Sequence, residues 1–339
     1  MKRTVLLSLF AVGLAFVLPV LLSAAPVGRQ TPPDPAAAPQ SEPEPTPEVQ
    51  RTQVLDENIL LSVQTKDGIE EMSMAEYLPA ALAGEMPAAF HPEALKAQAV
   101  ALRSYALHYR STRKTQHPSA DVCTVSGCCT AYADAEELHL RWGSNYAFYD
   151  AKIRQAISDT DGQYLVFEEA PILAVFHASS AGQTESGANL GIAAPYLCSV
   201  SSPESEDTVT KLITEVEVTA KEFRTAVAGV APEAVFGEDP AAWLGAVTRN
   251  DTGRVDSILI GGVPVSGLAL RRLFSMRSTD FVLDWDGKCF RFSVRGYGHG
   301  AGMSQYGADL MADGGADYTE ILSHYYPGAS LVIAMAAEE

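Results

Sequence analysis

Three groups of residues carry side chains suited to chemistry. In ALAGEMPAAF (81–90) a lone carboxylate, Glu85, closes an apolar helical run and is followed at once by Met86-Pro87. Its neighbours Ala83, Gly84, Met86 and Pro87 are small or apolar, and no basic residue stands beside it. A carboxyl against apolar surface keeps its proton to higher pH, which is what a general acid needs. The competing reading is a surface glutamate at a helix C-terminus, where the macrodipole disfavours it. The second group is HPSADVCTVSGCC (117–129), with His117, Cys123, Cys128 and Cys129. Soft thiolates and one imidazole suit a closed tetrahedral zinc site. Adjacent cysteines are awkward ligands, so a disulfide stands as the alternative; with five cysteines in all, pairing leaves at least one thiol. The third group is polar and flexible: HASSAGQTESGANLG (177–191), with Ser179, Ser180, Gln183 and Glu185, and GYGHGAGMSQYGA (296–308), with His299, Ser304 and Gln305. The glycines fit no phosphate-binding pattern and point to close backbone approach. A hydrolase built on Ser304 and His299 lacks a G-x-S-x-G elbow.

The elements that must position these groups are legible in outline. IleLeuLeuSerVal (59–63) reads as a strand before a Lys66-Asp67-Gly68 turn. Ser73 and Glu76 form a capping-box pattern, so a helix starts there. Pro79 should kink it or shorten its first turn, and Met86-Pro87 should end it. Pro92 opens a second helix. Leu95, Ala99, Leu102 and Ala106 give it one buried stripe, with Lys96 and Arg103, seven apart, on a neighbouring stripe that by itself reads as a solvated face. A further helix is expected near 143–158 and strand over 164–177, with a turn at 168–171. Beyond 212 the pattern is strand (213–218), helix (220–227), strand, with hairpin turns at 250–253 and 286–287. Phe290, Phe292 and Val294 alternate with polar residues, so that strand buries one face. The fold class is α+β, with long N-terminal helices and mostly antiparallel strands.

The 339-residue chain is 47% hydrophobic, enough for a sizeable core. Residues 1–25 read as a signal peptide or membrane anchor: Lys2-Arg3, an uncharged apolar run over 5–22, then Ser23-Ala24-Ala25. Residues 26–53 form a Pro-rich linker that cannot bury enough surface to fold. Charges balance within residues 1–53, so the formal −18 belongs to the domain over 54–339. So acidic a domain argues against nucleic acid and anionic lipid, and requires a local basic site for any anionic ligand.

EYLPAALAGEMPAAFHPEALKAQAVALRSYAL (76–107), FHASSAGQTESGANL (176–190) and GYGHGAGMSQYGADLMADGGADYTEILSHYYPGASL (296–331) resemble the stage II sporulation protein D (SpoIID) family. The same blocks, in the same order, occur in LytB amidase-enhancer proteins, and the resemblance spans nearly all of 54–335. It implies a single catalytic domain with a cleft between helices and strands. The implied activity is that of an exported or membrane-anchored lytic transglycosylase, a carbon–oxygen lyase. Such an enzyme cleaves peptidoglycan glycan strands, notably ones stripped of stem peptides, and leaves 1,6-anhydro-N-acetylmuramic acid. The implied partners are glycan strands, a membrane partner and, during sporulation and engulfment, an amidase of the stage II sporulation protein P type. Glu85 matches the family's catalytic glutamate. Lys96 and Arg103 become candidate substrate contacts, since a guanidinium suits a lactyl carboxylate. Ser179, Ser180, Gln183, His299, Ser304 and Gln305 become candidate cleft-lining hydrogen-bonding groups for sugar hydroxyls and N-acetyl groups. Some members carry zinc on a similarly spaced His/Cys cluster, in which the residue matching Cys128 is more often histidine. The fourth ligand is therefore Cys128 or, as a fallback, His139, and a closed site of this kind is structural or supportive. The LytB-type relatives imply the alternative of a non-catalytic glycan-binding enhancer of a cell-wall amidase.

Overall fold

The computed structural model describes residues 53–336. The signal or anchor expected over 1–25 lies outside them, as does the linker expected over 26–53 except for Gln53. No described helix is long and apolar enough to cross a membrane. The Val54 N–H donates to the Ala334 carbonyl (2.8 Å), which ties the start of the described chain to its end. Strands Leu60–Thr65 and Gly68–Ser73 pair antiparallel across the expected turn. Ser73 then caps helix α1 (Met74–Glu85): its hydroxyl accepts from the Glu76 N–H, and the Glu76 carboxylate accepts from the Ser73 N–H. The kink or shortening expected at Pro79 does not occur, because α1 runs unbroken through it. The proline leaves the Ala75 carbonyl without its helical donor. Burial of Tyr77, Leu78, Ala81 and Leu82 on either side holds the helix together regardless.

Met86 leaves the helix in an extended conformation (φ −122°, ψ 137°), as Pro87 requires. Helix α2 (Pro92–Thr112) follows, with Pro92 in its first turn and the His91 ring accepting from the Glu93 N–H. The expected stripe is buried, but so is every residue from Ala97 to Ala106. A helix buried all round is central. It packs against α1, α4, α7 and α8, all defined here or below. The helix expected near 143–158 forms as α4 (Tyr146–Ser158) behind a 3-10 turn, Gly143–Asn145, and a further helix that was not expected, α3 (Ala135–Trp142), precedes it. The expected strand at 172–176 forms only at Phe176–His177. Residues 172–175 instead make local bonds, Ala174 N–H to Ile172 O and Val175 N–H to Leu173 O. Strand Gln163–Phe167 pairs with Ser330–Ile333.

The second half builds its own core. Ile213–Thr219 and Phe281–Trp285 flank Cys289–Arg295 in an antiparallel sheet. Helix α5 (Ala220–Ala228) covers it, with Phe223 stacked on Phe290 (centroids 4.0 Å apart). Phe290, Phe292 and Val294 are fully buried, as their alternation requires. A second antiparallel sheet, Leu244–Arg249, Val255–Ile260 and Val263–Ser266, leads into helix α6 (Gly267–Leu273). The glycine-rich segment then returns the chain to the first core, where Met303–Ser304 pairs in parallel with Phe176–His177. Helices α7 (Gln305–Asp313) and α8 (Tyr318–Tyr325) follow. The described residues all fall in one compact unit of α+β architecture.

Candidate active site

Glu85 is the last residue of α1. Its Oε1 accepts a hydrogen bond from the Ala131 N–H, and Gln305 hydrogen-bonds the side chain as well. Gly84 makes the first contact possible. A Cβ on Gly84 would lie 2.8 Å from the Ala131 carbonyl carbon and from the Tyr132 nitrogen. The corner after Glu85 is held from two sides: the His91 N–H donates to Asp309 Oδ1 of α7 (2.6 Å), and Lys152 Nζ of α4 donates to the Ala89 (3.1 Å) and Phe90 carbonyls. Burial pushes the Glu85 carboxyl above its ordinary range, against the two donors that favour its charged form.

Glu85 faces a cleft of about 750 Å³, walled by the end of α1, by α2 (Tyr105, Tyr109), by residues 126–131 and by the glycine-rich segment (Tyr297, Gly298, His299). A second, smaller pocket of about 360 Å³ also has Glu85 in its lining, with Arg141, Trp142 and Tyr149. Among the described residues lining the two, Glu85 is the one carboxylate. The glycine-rich wall sits tightly on its neighbour: Gly298 has φ +120°, and a Cβ there would lie 2.5 Å from the His177 Cβ.

Beside the cleft, His117, Cys123, Cys128 and Cys129 bring one ligand atom each to within 4.8 Å of one another. A tetrahedral site with Zn–S of about 2.3 Å has an edge of about 3.8 Å, so the cluster can close on a zinc ion with small adjustments. The donor chemistry agrees. Burial pushes the Cys128 and Cys129 thiols upward, Cys129 to about 12, and a cation would release those protons. All described cysteines are unpaired thiols. His139, the fallback ligand, is elsewhere: it is exposed and stacked on Tyr146 (3.5 Å). Cys128 completes the set.

A family model described as Stage II sporulation protein (SpoIID) matches residues 63–167. The stage II sporulation protein D of Bacillus amyloliquefaciens is 34% identical over 266 residues, covering 78% of this chain and 75% of that protein. The chain belongs to the stage II sporulation protein D family. The protein of that name from Bacillus subtilis (strain 168) is similar at the same 34% identity and the same coverage. The amidase enhancer of that organism is 24% identical over 316 residues, 75% of this chain and 40% of that protein.

Measured against the expected site residues, the SpoIID fold brings Glu85, His299 and Gln305 to one cleft and sends the others elsewhere. Arg103 is fully buried, bidentate to Asp56 (2.7 and 2.6 Å) and bonded to the Gln163 carbonyl (2.7 Å). It is a core ion pair rather than a substrate contact, because its stripe of α2 faces the start of the folded chain. Lys96 is likewise spoken for by Glu93 (2.9 Å) and Asp159 (3.0 Å), away from the cleft. Ser179, Ser180 and Ser304 are buried around the Glu204 carboxylate, which accepts from the Ser180 N–H and from the Ser179 and Ser304 hydroxyls. Ser304 also caps α7, and the Ser180 hydroxyl donates to His177 Nε2 (2.6 Å), whose other nitrogen donates to the Ala301 carbonyl. Burial keeps that imidazole neutral. Gln183 is exposed and bonded to Ser199, outside the cleft. Glu185 is a buried knot, taking donors from Asn189, Asn250 and Thr252. These loops fasten the glycine-rich wall in place. Sequence reasoning missed Arg271 and Trp142, which lie in segments without any recognisable spacing; Tyr297, inside the glycine-rich block, and Gly84, beside Glu85, were missed although their segments carried a readable signal.

Proposed function

We propose that the protein is a peptidoglycan lytic transglycosylase with Glu85 as its acid and base. The observation that carries this reading is a single, desolvated carboxyl in a cleft with no second carboxylate among its described lining residues. Hydrolysis by the usual routes needs two carboxylates, one for the leaving oxygen and one for water or the anomeric carbon. An anhydro-forming lyase needs one. Glu85 gives its proton to the glycosidic oxygen as the C1–O4 bond breaks. The 6-hydroxyl of the same N-acetylmuramic acid attacks C1 and gives its proton to the Glu85 carboxylate, so the enzyme ends as it began and no water is consumed. The tethered nucleophile removes much of the entropic barrier. The Ala131 N–H bonded to Oε1 fixes the direction of the carboxyl. The smaller pocket that shares Glu85, with Trp142 and Tyr149, offers the strand aromatic surface beside the acid.

A zinc ion held by His117, Cys123, Cys128 and Cys129 would supply a cross-link to the loop that presents Ala131. Glycan strands as substrate, action during engulfment, an amidase partner and a location outside the cell membrane belong to the same reading, on the strength of family membership. The test is digestion of denuded glycan strands by the full chain, read by mass spectrometry. Anhydromuramyl ends should appear with wild type and fall by about 10²–10⁴ with Glu85→Gln. Similarity to the amidase enhancer favours a second reading, a glycan-binding stimulator that does not cut. Wild type that yields no anhydro ends yet accelerates an amidase would establish that one instead.

A further inference from the structure

An anionic ligand approaching a domain of net charge −18 needs a local cation. The cationic side chains at the cleft are mostly committed. Lys114 donates to the Tyr105 hydroxyl (2.7 Å) and the Cys128 carbonyl and lies over the Tyr109 ring (4.5 Å). Arg254, buried behind the glycine-rich wall, donates to the Gln183 carbonyl (3.0 Å) and Thr252 (3.3 Å). The two histidines are neutral: burial, with Arg271 and Arg254 adding repulsion, pushes His177 well down and His299 to about 4. Arg141, in the smaller pocket, is paired with Glu137.

Arg271 is different. It stands in the last turn of α6, half-buried, and lines the cleft with Tyr297 and His299. Among the described residues its one side-chain hydrogen bond is from Nε to the Met276 carbonyl (3.3 Å), and no carboxylate lies within ion-pair distance. That bond fixes the plane of the guanidinium and leaves both terminal nitrogens without a protein partner, neither of them sealed from solvent. A guanidinium held this way presents a two-pronged donor to a carboxylate.

We infer that Arg271 is the specificity-determining residue of the cleft, its terminal nitrogens taking the free lactyl carboxylate of an N-acetylmuramic acid. The inference rests on the reading of the cleft as a glycan site. A stem peptide turns that carboxylate into an amide, which removes the anion and leaves the guanidinium facing a neutral group. Strands without peptides are therefore selected at this residue by charge, in addition to any steric preference.

The experiment uses the full chain carrying Glu85→Gln, so that strands are bound and not cut. Its probes are denuded glycan strands and the same strands with their lactyl carboxylates converted to methylamides by carbodiimide coupling. The parent should bind the carboxylate strands roughly ten- to a hundredfold more tightly. Adding Arg271→Gln should bring the ratio to within about twofold while binding to methylamide strands is retained, and Arg271→Lys should give an intermediate ratio. If Arg271→Gln binds neither strand, the ratio for Arg271→Lys decides. An unchanged ratio in the arginine variants, or no preference in the parent, overturns the inference. The lytic reading stands or falls separately, on whether wild type yields anhydro ends.

Discussion

Glu85 occupies a position where two effects oppose its charge and two support it. The C-terminal end of α1 disfavours an anion, and burial strips its water. The Ala131 N–H and Gln305 pull the other way and lose. A carboxyl whose folded pKa is raised contributes stability while it is protonated, and that contribution is lost as pH rises through the folded value. Glu85→Gln removes the charge and keeps an oxygen for the Ala131 N–H. Thermal unfolding should therefore place Glu85→Gln above wild type at pH 7, with the gap closing as pH falls towards 4. A variant less stable than wild type at pH 7 would show the charged form to be the favoured one. The same titration governs turnover, which should decline on the alkaline side as Glu85 gives up its proton.

At the scale of elements, the corner between α1 and α2 is set by what packs on it. Gly84 lets the 130–132 backbone lie directly against the last turn of α1, at a distance no side chain tolerates. In Gly84→Ala the new methyl gains about 1 kcal/mol of helix propensity and meets overpacking of about 1–3 kcal/mol. Stability should fall by about 0–2 kcal/mol, the difference of the two, whereas Ala131 must move and Glu85 loses its fixed direction. Anhydro-end formation should drop by about tenfold to a hundredfold with the circular dichroism unchanged. Retention of full activity would mean that the Ala131 contact does not position the acid. The cap of α1, the start of α2 at Pro92, the break at Met86-Pro87 and the alternation of 290–294 were all readable, since each is a local matter of φ, hydrogen-bond donors and periodicity. The strand expected over 172–176 was not. Its apolar run fits strand or buried coil equally, and tertiary packing chose coil.

Across the whole molecule the cysteine cluster and the acid are one construction. The loop that leaves α2 passes through His117, Cys123, Cys128 and Cys129 and, two residues later, supplies the Glu85 donor. Treatment with a strong chelator should lower the unfolding temperature and anhydro-end formation together, and added zinc should restore both. Protein purified under reducing conditions with no bound zinc, and indifferent to chelation, would refute the metal assignment. The charge of −18 sits on this same unit, so the field that repels anionic polymers at a distance would have to be offset at close range, and Arg271 lines the cleft where that is needed.

The sequence by itself determined the fold class, the helix boundaries around Glu85 and the family, and it picked out the four residues of the His/Cys cluster, because these rest on local spacing and on blocks of residues in order. What it could not determine is which basic side chain faces the cleft. Lys96 and Arg103 carried the right charge on the right helix, but only folding shows that one is paired with Glu93 and Asp159 and the other with Asp56. Arg271, more than a hundred and fifty residues further along, carried no local mark at all. Whether a cation is consumed inside the protein or left facing the cleft depends on long-range partners, and the tertiary structure alone supplies those.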